Sequence, residues 1–199
     1  MSDPVINQWV SAAIEGDQEA FAELVYSFQD AVYNLCYRLL GERTEAEDSA
    51  QEAFLKAYSN LHRYDTERPF KTWILTIASN LCIDRLRKRR ASFVSIDEPI
   101  PATLSLASDD PQPEQMALLN ERSRRIQAML NELPEDYRAA VVLRYWYDYS
   151  YAEIAEILET TESAIKSRLF RARQMLADKL DNSEPSTGRG PVNPLLEGI

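Results

Sequence analysis

Between Ser150 and Leu176 the chain sets two short apolar periodicities back to back, separated by three polar residues, and few folds accommodate that arrangement. Ile154, Ala155 and Leu158 give a first helix one apolar face. Ser150 with Glu153 has the spacing of a capping box, in which each side chain satisfies a free amide at the helix start. The pattern breaks at Glu159-Thr160-Thr161, and a second helix is predicted from Glu162. At about 100° per residue, Ile165, Leu169, Ala172 and Leu176 fall within one narrow arc, the buried face. Ser163, Lys166, Ser167, Phe170, Arg171 and Gln174 lie on the other side. Two short helices, a three-residue turn and a polar outer face describe a helix-turn-helix, whose second helix enters the major groove by its amino-terminal turn. That reading places Glu162, Ser163, Lys166 and Ser167 at base edges and Arg171 and Arg173 at phosphates. The competing reading is an ordinary helical hairpin with a solvated basic face. Turns of this kind usually carry Gly where this chain has Glu159, and a left-handed residue there is costlier without Gly.

A DNA-reading helix sits oddly in a chain of formal net charge -10, so the distribution of charge matters. Residues 1–91 carry 14 acids and 11 bases, residues 92–120 five acids and no base, residues 121–180 ten of each, and residues 181–199 three acids and one base. Basic patches can still bind nucleic acid while the remainder repels it, which weakens non-specific binding. Only five Gly in 199 residues argue for long helices, and 45% hydrophobic residues suffice for real cores. No apolar run approaches membrane-spanning length, and MSDPVINQWV lacks a signal peptide's basic start and apolar middle, so a cytoplasmic protein is expected. Cys36 and Cys82 fall in apolar helical patterns without metal-like spacing and read as buried free thiols. His62 has no partner at ligand spacing, and there is no phosphate-cradling glycine loop or nucleophile elbow. Neither a metal, a cofactor, a small-molecule substrate nor a catalytic step is expected.

The expected fold class is all-α, with two small helical domains joined by a flexible acidic linker and the helix-turn-helix in the second. Residues 1–91 read as four helices, at about 5–15, 18–40, 44–61 and 69–90, the third capped by Thr44 with Glu47. The fourth ends in RLRKRR, and five cations in six residues exceed what a helix dipole asks for, so a phosphate-binding patch is expected there. Residues 92–114, rich in Pro and small polar residues, read as a linker able to span about 75 Å at full stretch. Residues 115–180 form the second domain. The tail, 181–199, is expected to be disordered.

The run TEAEDSAQEAFLKAYSNLHRYDTERPFKTWILTIASNLCIDRLRKRR, residues 44–90, resembles the core-binding and promoter-melting domain of bacterial σ factors of the extracytoplasmic-function (ECF) group. The run LPEDYRAAVVLRYWYDYSYAEIAEILETTESAIKSRLFRARQML, residues 133–176, resembles that group's second domain. With residues 15–43, the likeness covers most of the chain in the right order. It implies an alternative σ factor that binds core RNA polymerase through the β′ clamp and β flap, recognises promoter DNA and is held by a cognate anti-σ factor, in some cases at the membrane. Residue by residue, it implies clamp contacts by Glu47, Asp48, Gln51, Glu52 and Leu55, with Phe54 adjoining. The family usually has an apolar residue where this chain has Ser49. It implies minus-ten contacts by Arg63, Tyr64, Asp65 and Thr66 in a loop that receives a flipped base, and by Asn80, Asp84, Arg85 and Lys88 on the following helix. Glu162, Ser163, Lys166, Ser167, Arg171 and Arg173 would read the minus-thirty-five element. The family commonly has Gly where Asp148 and Glu159 stand, and Pro-x-Gly-Thr where this chain reads Thr161-Glu162-Ser163-Ala164.

Two other classes compete. A stand-alone helix-turn-helix regulator accounts for residues 151–173 but leaves the acidic and basic helices of the first domain without purpose. A helical adaptor that has lost DNA activity accounts for the net charge and the missing glycines. The first predicts tight DNA binding without polymerase, the second partner binding without promoter opening.

Overall fold

In the computed structural model, which describes residues 4–94 and 114–183, the chain is built from α-helices alone apart from one short 3-10 turn. The order is α1 (Pro4–Ile14), α2 (Gln18–Leu40), α3 (Arg43–Asn60), a 3-10 turn (Leu61–Arg63), α4 (Phe70–Val94), α5 (Glu114–Asn131), α6 (Glu135–Trp146), α7 (Tyr151–Ile157) and α8 (Glu162–Ser183). Contacts divide it into two units, residues 1–131 and 132–199. Most of the expected linker and nearly all of the expected tail lie outside the described residues.

In the first unit the ends of α2 follow from local chemistry. Asp17 accepts the Glu19 and Ala20 amides at 2.9 and 3.1 Å, and Gly41 closes the helix at φ 76°. The expected cap of α3 is displaced by two residues. Glu42, not Thr44, is the N-cap, because its carboxylate spans the Thr44 and Glu45 amides at 2.9 and 2.7 Å, while Glu47 turns to Arg43 at 3.0 Å. Leu24, Val32, Leu35 and Leu39 of α2 and Phe70, Ile74 and Leu75 of α4 are all buried where the two helices pack together. The face that α3 buries is made of small residues, Ala46, Ser49, Ala50, Ala53 and Ala57, with Phe54. Small residues let helices approach closely, so α3 lies near the backbones of α2 and α4. Ser49 is therefore a core residue and not a member of the outer face.

By its contacts α5 groups with the first unit. Its buried Gln127 donates to the Arg38 carbonyl at the end of α2 and to Asn131 Oδ1, both at 3.1 Å. A Cβ at Gly41 would meet the Asn131 side chain at 2.6 Å, so Gly41 serves both the left-handed cap and this close approach.

In the second unit α6 buries Ala139 through Leu143 without a break. α7 and α8 close over it with Ile154, Ile157, Ile165, Leu169 and Ala172. Cys36 and Cys82, in the first unit, are buried free thiols, and Cys82 is driven further from ionisation by its hydrogen bond with the Cys36 thiol and by burial.

Candidate nucleic-acid interface

The helix-turn-helix forms where the spacing placed it. Ser150 Oγ accepts the Glu153 amide at 3.3 Å and Glu153 Oε2 accepts the Ser150 amide at 2.7 Å, completing the capping box. The Ser150 hydroxyl and amide hold the Glu153 carboxyl below its ordinary value. Asp148 and Glu159, which stand where glycine was expected, adopt left-handed backbones at φ 54° and 48°. The turn closes through the Thr160 amide on the Ala155 carbonyl at 2.8 Å, and Thr161 Oγ1 accepts the Ala164 amide at 3.2 Å to start α8. In α7 the buried face includes Ile157, while Leu158 and, in α8, Leu176 are only half-buried.

Glu162, Ser163, Lys166, Ser167, Arg171 and Arg173 are all exposed on α8. Ser163, Ser167 and Gln174 lie about 160–200° from Ile165 around the helix, near the centre of the outer face. Arg173 lies only about 80° from Ile165, on the flank, and its Nε donates back to the Leu169 carbonyl at 3.4 Å. Arg171 Nη1 meets Tyr137 Oη at 3.4 Å, and Arg168 pairs with Asp136 at 3.3 Å, so α6 sets the tilt of the outer face. Phe170, exposed to 56% near the centre of that face, was not among the expected contacts. An aromatic surrounded by Lys166, Ser167 and Gln174 suits the methyl group of a thymine. The signal in the sequence is an apolar residue on the polar side of the helix.

In the first unit the loop before α4 ties itself into a turn. Asp65 Oδ1 accepts the Glu67 amide and the Asp65 carbonyl accepts the Arg68 amide, each at 3.1 Å, with Arg68 Nε at 3.6 Å from Asp65 Oδ2. Tyr64 is not presented to a ligand. It is buried against Phe70 and Trp73, with ring centroids 5.8 and 4.9 Å away, and its hydroxyl donates to the Arg68 carbonyl. Burial raises the Tyr64 pKa. Arg63 and Thr66 remain exposed. Along α4, Asn80, Asp84 and Lys88 recur at every fourth position, with Arg85 beside them. Asn80 is ten residues beyond Phe70, hence about 15 Å along the axis, so the loop and helix residues are spread along an elongated strip.

On α3, Glu47, Asp48, Gln51 and Leu55 face outward, Leu55 to 68%. Glu52 is drawn inward to Arg85, its Oε2 at 2.7 Å from Arg85 Nη2, and Lys56 stands 3.5 Å from Oε1. That hydrogen bond lowers the Glu52 pKa and raises that of Arg85. Arg89 pairs with Glu45. Among the described residues no group of His, Cys, Asp and Glu has a metal-holding arrangement, and no helix is long and apolar enough to cross a membrane.

Two family profiles match the chain, the second beginning within α5. The profile described as Sigma-70 region 2 matches residues 24–92, and Sigma-70 region 4 matches residues 123–176. The ECF RNA polymerase sigma factor SigW of Bacillus subtilis (strain 168) is 39% identical over 181 residues, covering 88% of this chain and 97% of its own length. The ECF RNA polymerase sigma factor SigE of Mycolicibacterium smegmatis is 35% identical, covering 87% of this chain and 68% of its own. Among solved structures, CnrH in complex with the cytosolic domain of CnrY matches with a TM-score of 0.65 at 25% identity, over 90% of this chain and 99% of CnrH.

Proposed function

The chain belongs to the extracytoplasmic-function group of bacterial RNA polymerase σ factors, and on that premise we propose which of its surfaces meets which partner. It is an alternative σ factor, directing core polymerase to particular promoters for transcription initiation. We assign it no catalytic step of its own, and place it in the cytoplasm with its polymerase.

The outer face of α3 is read as the polymerase-docking surface. The observation that carries this is Leu55, exposed to 68% beside Asp48 and Gln51 on a helix whose opposite face is fully packed. An exposed large apolar side chain with Gln51 one turn and Asp48 two turns before it on the same face suits a basic coiled coil such as the β′ clamp, with the charge supplying steering and register. The strip from Arg63, Asp65 and Thr66 along α4 to Lys88 is assigned to the minus-ten element, with Tyr64 supporting the loop from within. The outer face of α8 is assigned to the minus-thirty-five element, and the second unit also to the β flap. An anti-σ factor is the expected inhibitor, and the structure of CnrH was obtained with a protein domain bound.

Purified chain binding to core polymerase tests the docking surface, with Asp48→Arg plus Leu55→Ala beside the wild type and Glu52 left in place. The double variant is expected to lose affinity by about tenfold or more. Wild-type affinity in the variant would move the docking surface elsewhere. A stand-alone regulator would instead bind duplex DNA tightly without polymerase.

A further inference from the structure

Glu52 has two claims on it. It belongs to the helix assigned to polymerase, yet its carboxylate is held by Arg85, a residue of the strip assigned to DNA. A second pair repeats the pattern: Arg89, four residues beyond Arg85, meets Glu45, seven residues before Glu52. Positions 85 and 89 share one face of α4, and 45 and 52 share one face of α3, so the pairs form two rungs between the helices. The close approach that the alanine face of α3 allows brings these side chains within reach. Both pairs are partly sheltered, Arg85 and Glu52 keeping 33% and 39% of their side-chain exposure and Arg89 and Glu45 41% and 38%. Arg87 and Asp84, both on α4, stand 3.9 Å apart with both side chains more than 60% exposed.

We propose that Glu52 and Glu45 act as internal counter-ions that withhold Arg85 and Arg89 from DNA in the free chain, and that a basic partner docking on α3 takes Glu52 and releases Arg85 to a phosphate. This deepens the assignment of α3 to polymerase and rests on it. An arginine contributes to DNA affinity by replacing the counter-ions condensed on the phosphates. One already neutralised by a carboxylate must first give up that partner, which lowers its contribution by the worth of the pair. For a half-exposed pair this is about two- to fivefold in affinity. Glu52 holds Lys56 as well as Arg85, so a new cation arriving at the α3 face substitutes for Arg85 without leaving the carboxylate bare. Promoter contact then follows polymerase binding instead of preceding it.

The test titrates full-length chain against a labelled single-stranded DNA of mixed sequence at low salt. The variants are Glu52→Gln, Arg85→Gln, the two together, and Glu23→Gln, which removes the same charge from an exposed site on α2. Circular dichroism checks that each is folded. Glu52→Gln is expected to bind about two- to fivefold tighter, Glu23→Gln to change less, and the gain to vanish in the double variant. With saturating core polymerase, Arg85→Gln, nearly silent in the free chain, should weaken DNA binding by at least that factor. If Glu52→Gln only matches Glu23→Gln, binds more weakly, or keeps its gain without Arg85, the withholding role is overturned. If wild-type chain does not bind core polymerase, the release step falls with the docking assignment, and the free-chain titrations alone decide the withholding.

Discussion

Glu159 and Asp148 occupy the left-handed region at φ 48° and 54°, where L residues are strained by Cβ against the following carbonyl. Asp tolerates this better, because its short side chain can hydrogen-bond locally, whereas Glu has no such relief. Glycine would remove the strain but costs more chain entropy on folding. The balance favours Glu159→Gly as stabilising by about 0.5–1 kcal/mol, and Asp148→Gly by less. Urea denaturation of both variants checks this, and a destabilised Glu159→Gly would mean the turn carries no strain. The departure from glycine was legible in the sequence, as was the backbone it demands. Tyr64 was not legible in the same way. Its position in a loop suggested a surface residue, but its ring fills a gap between Phe70 and Trp73, a matter of packing that the local pattern does not record.

Elements are set by their ends as much as by their faces. The capping box of α7 is the clearest case, since a seven-residue helix has almost as many orphan amides as internal hydrogen bonds. Ser150→Ala should cost about 1 kcal/mol. The Glu153 carboxyl, depressed in the folded state, adds stability that is fully present above its ordinary value near 4.5 and is lost as pH falls through the lower folded value. Glu153→Gln should accordingly flatten the acid limb of the stability curve, and an unchanged limb in a urea titration from pH 6 to 3 would count against the box. α3 shows where a local rule misleads: Thr44 and Glu47 have capping-box spacing, but Glu42 lies one residue before the helix and its longer carboxylate takes both amides. α5 shows the limit of segment reading. Its helical pattern does not say that Gln127 meets the end of α2, because that hydrogen bond joins residues 89 apart.

At the scale of the whole molecule, two units with separate cores should unfold as two cooperative steps. Ile165→Ala in the second unit and Ile74→Ala in the first each empty a fully buried site and should cost about 2–5 kcal/mol. Each should shift only its own transition in calorimetry; a single transition moved by both would mean that the chain unfolds as one. The charge of -10 acts at this scale too. It opposes DNA binding by the isolated chain, while the cations needed for contact stay concentrated on α4 and α8.

The helical class, the helix-turn-helix and the positions of its outer face follow from the sequence alone. Helical periodicity and capping are short-range, acting over three or four residues, and Ser150, Glu153, Ile165 and Leu169 state them directly. Which charges are free and which are spent was decided by the tertiary fold. Glu52 and Arg85 are 33 residues apart, and nothing in either local pattern marks them as partners. They meet because the small residues of α3 let it lie close to α4, and the reach of a salt bridge is only a few ångströms.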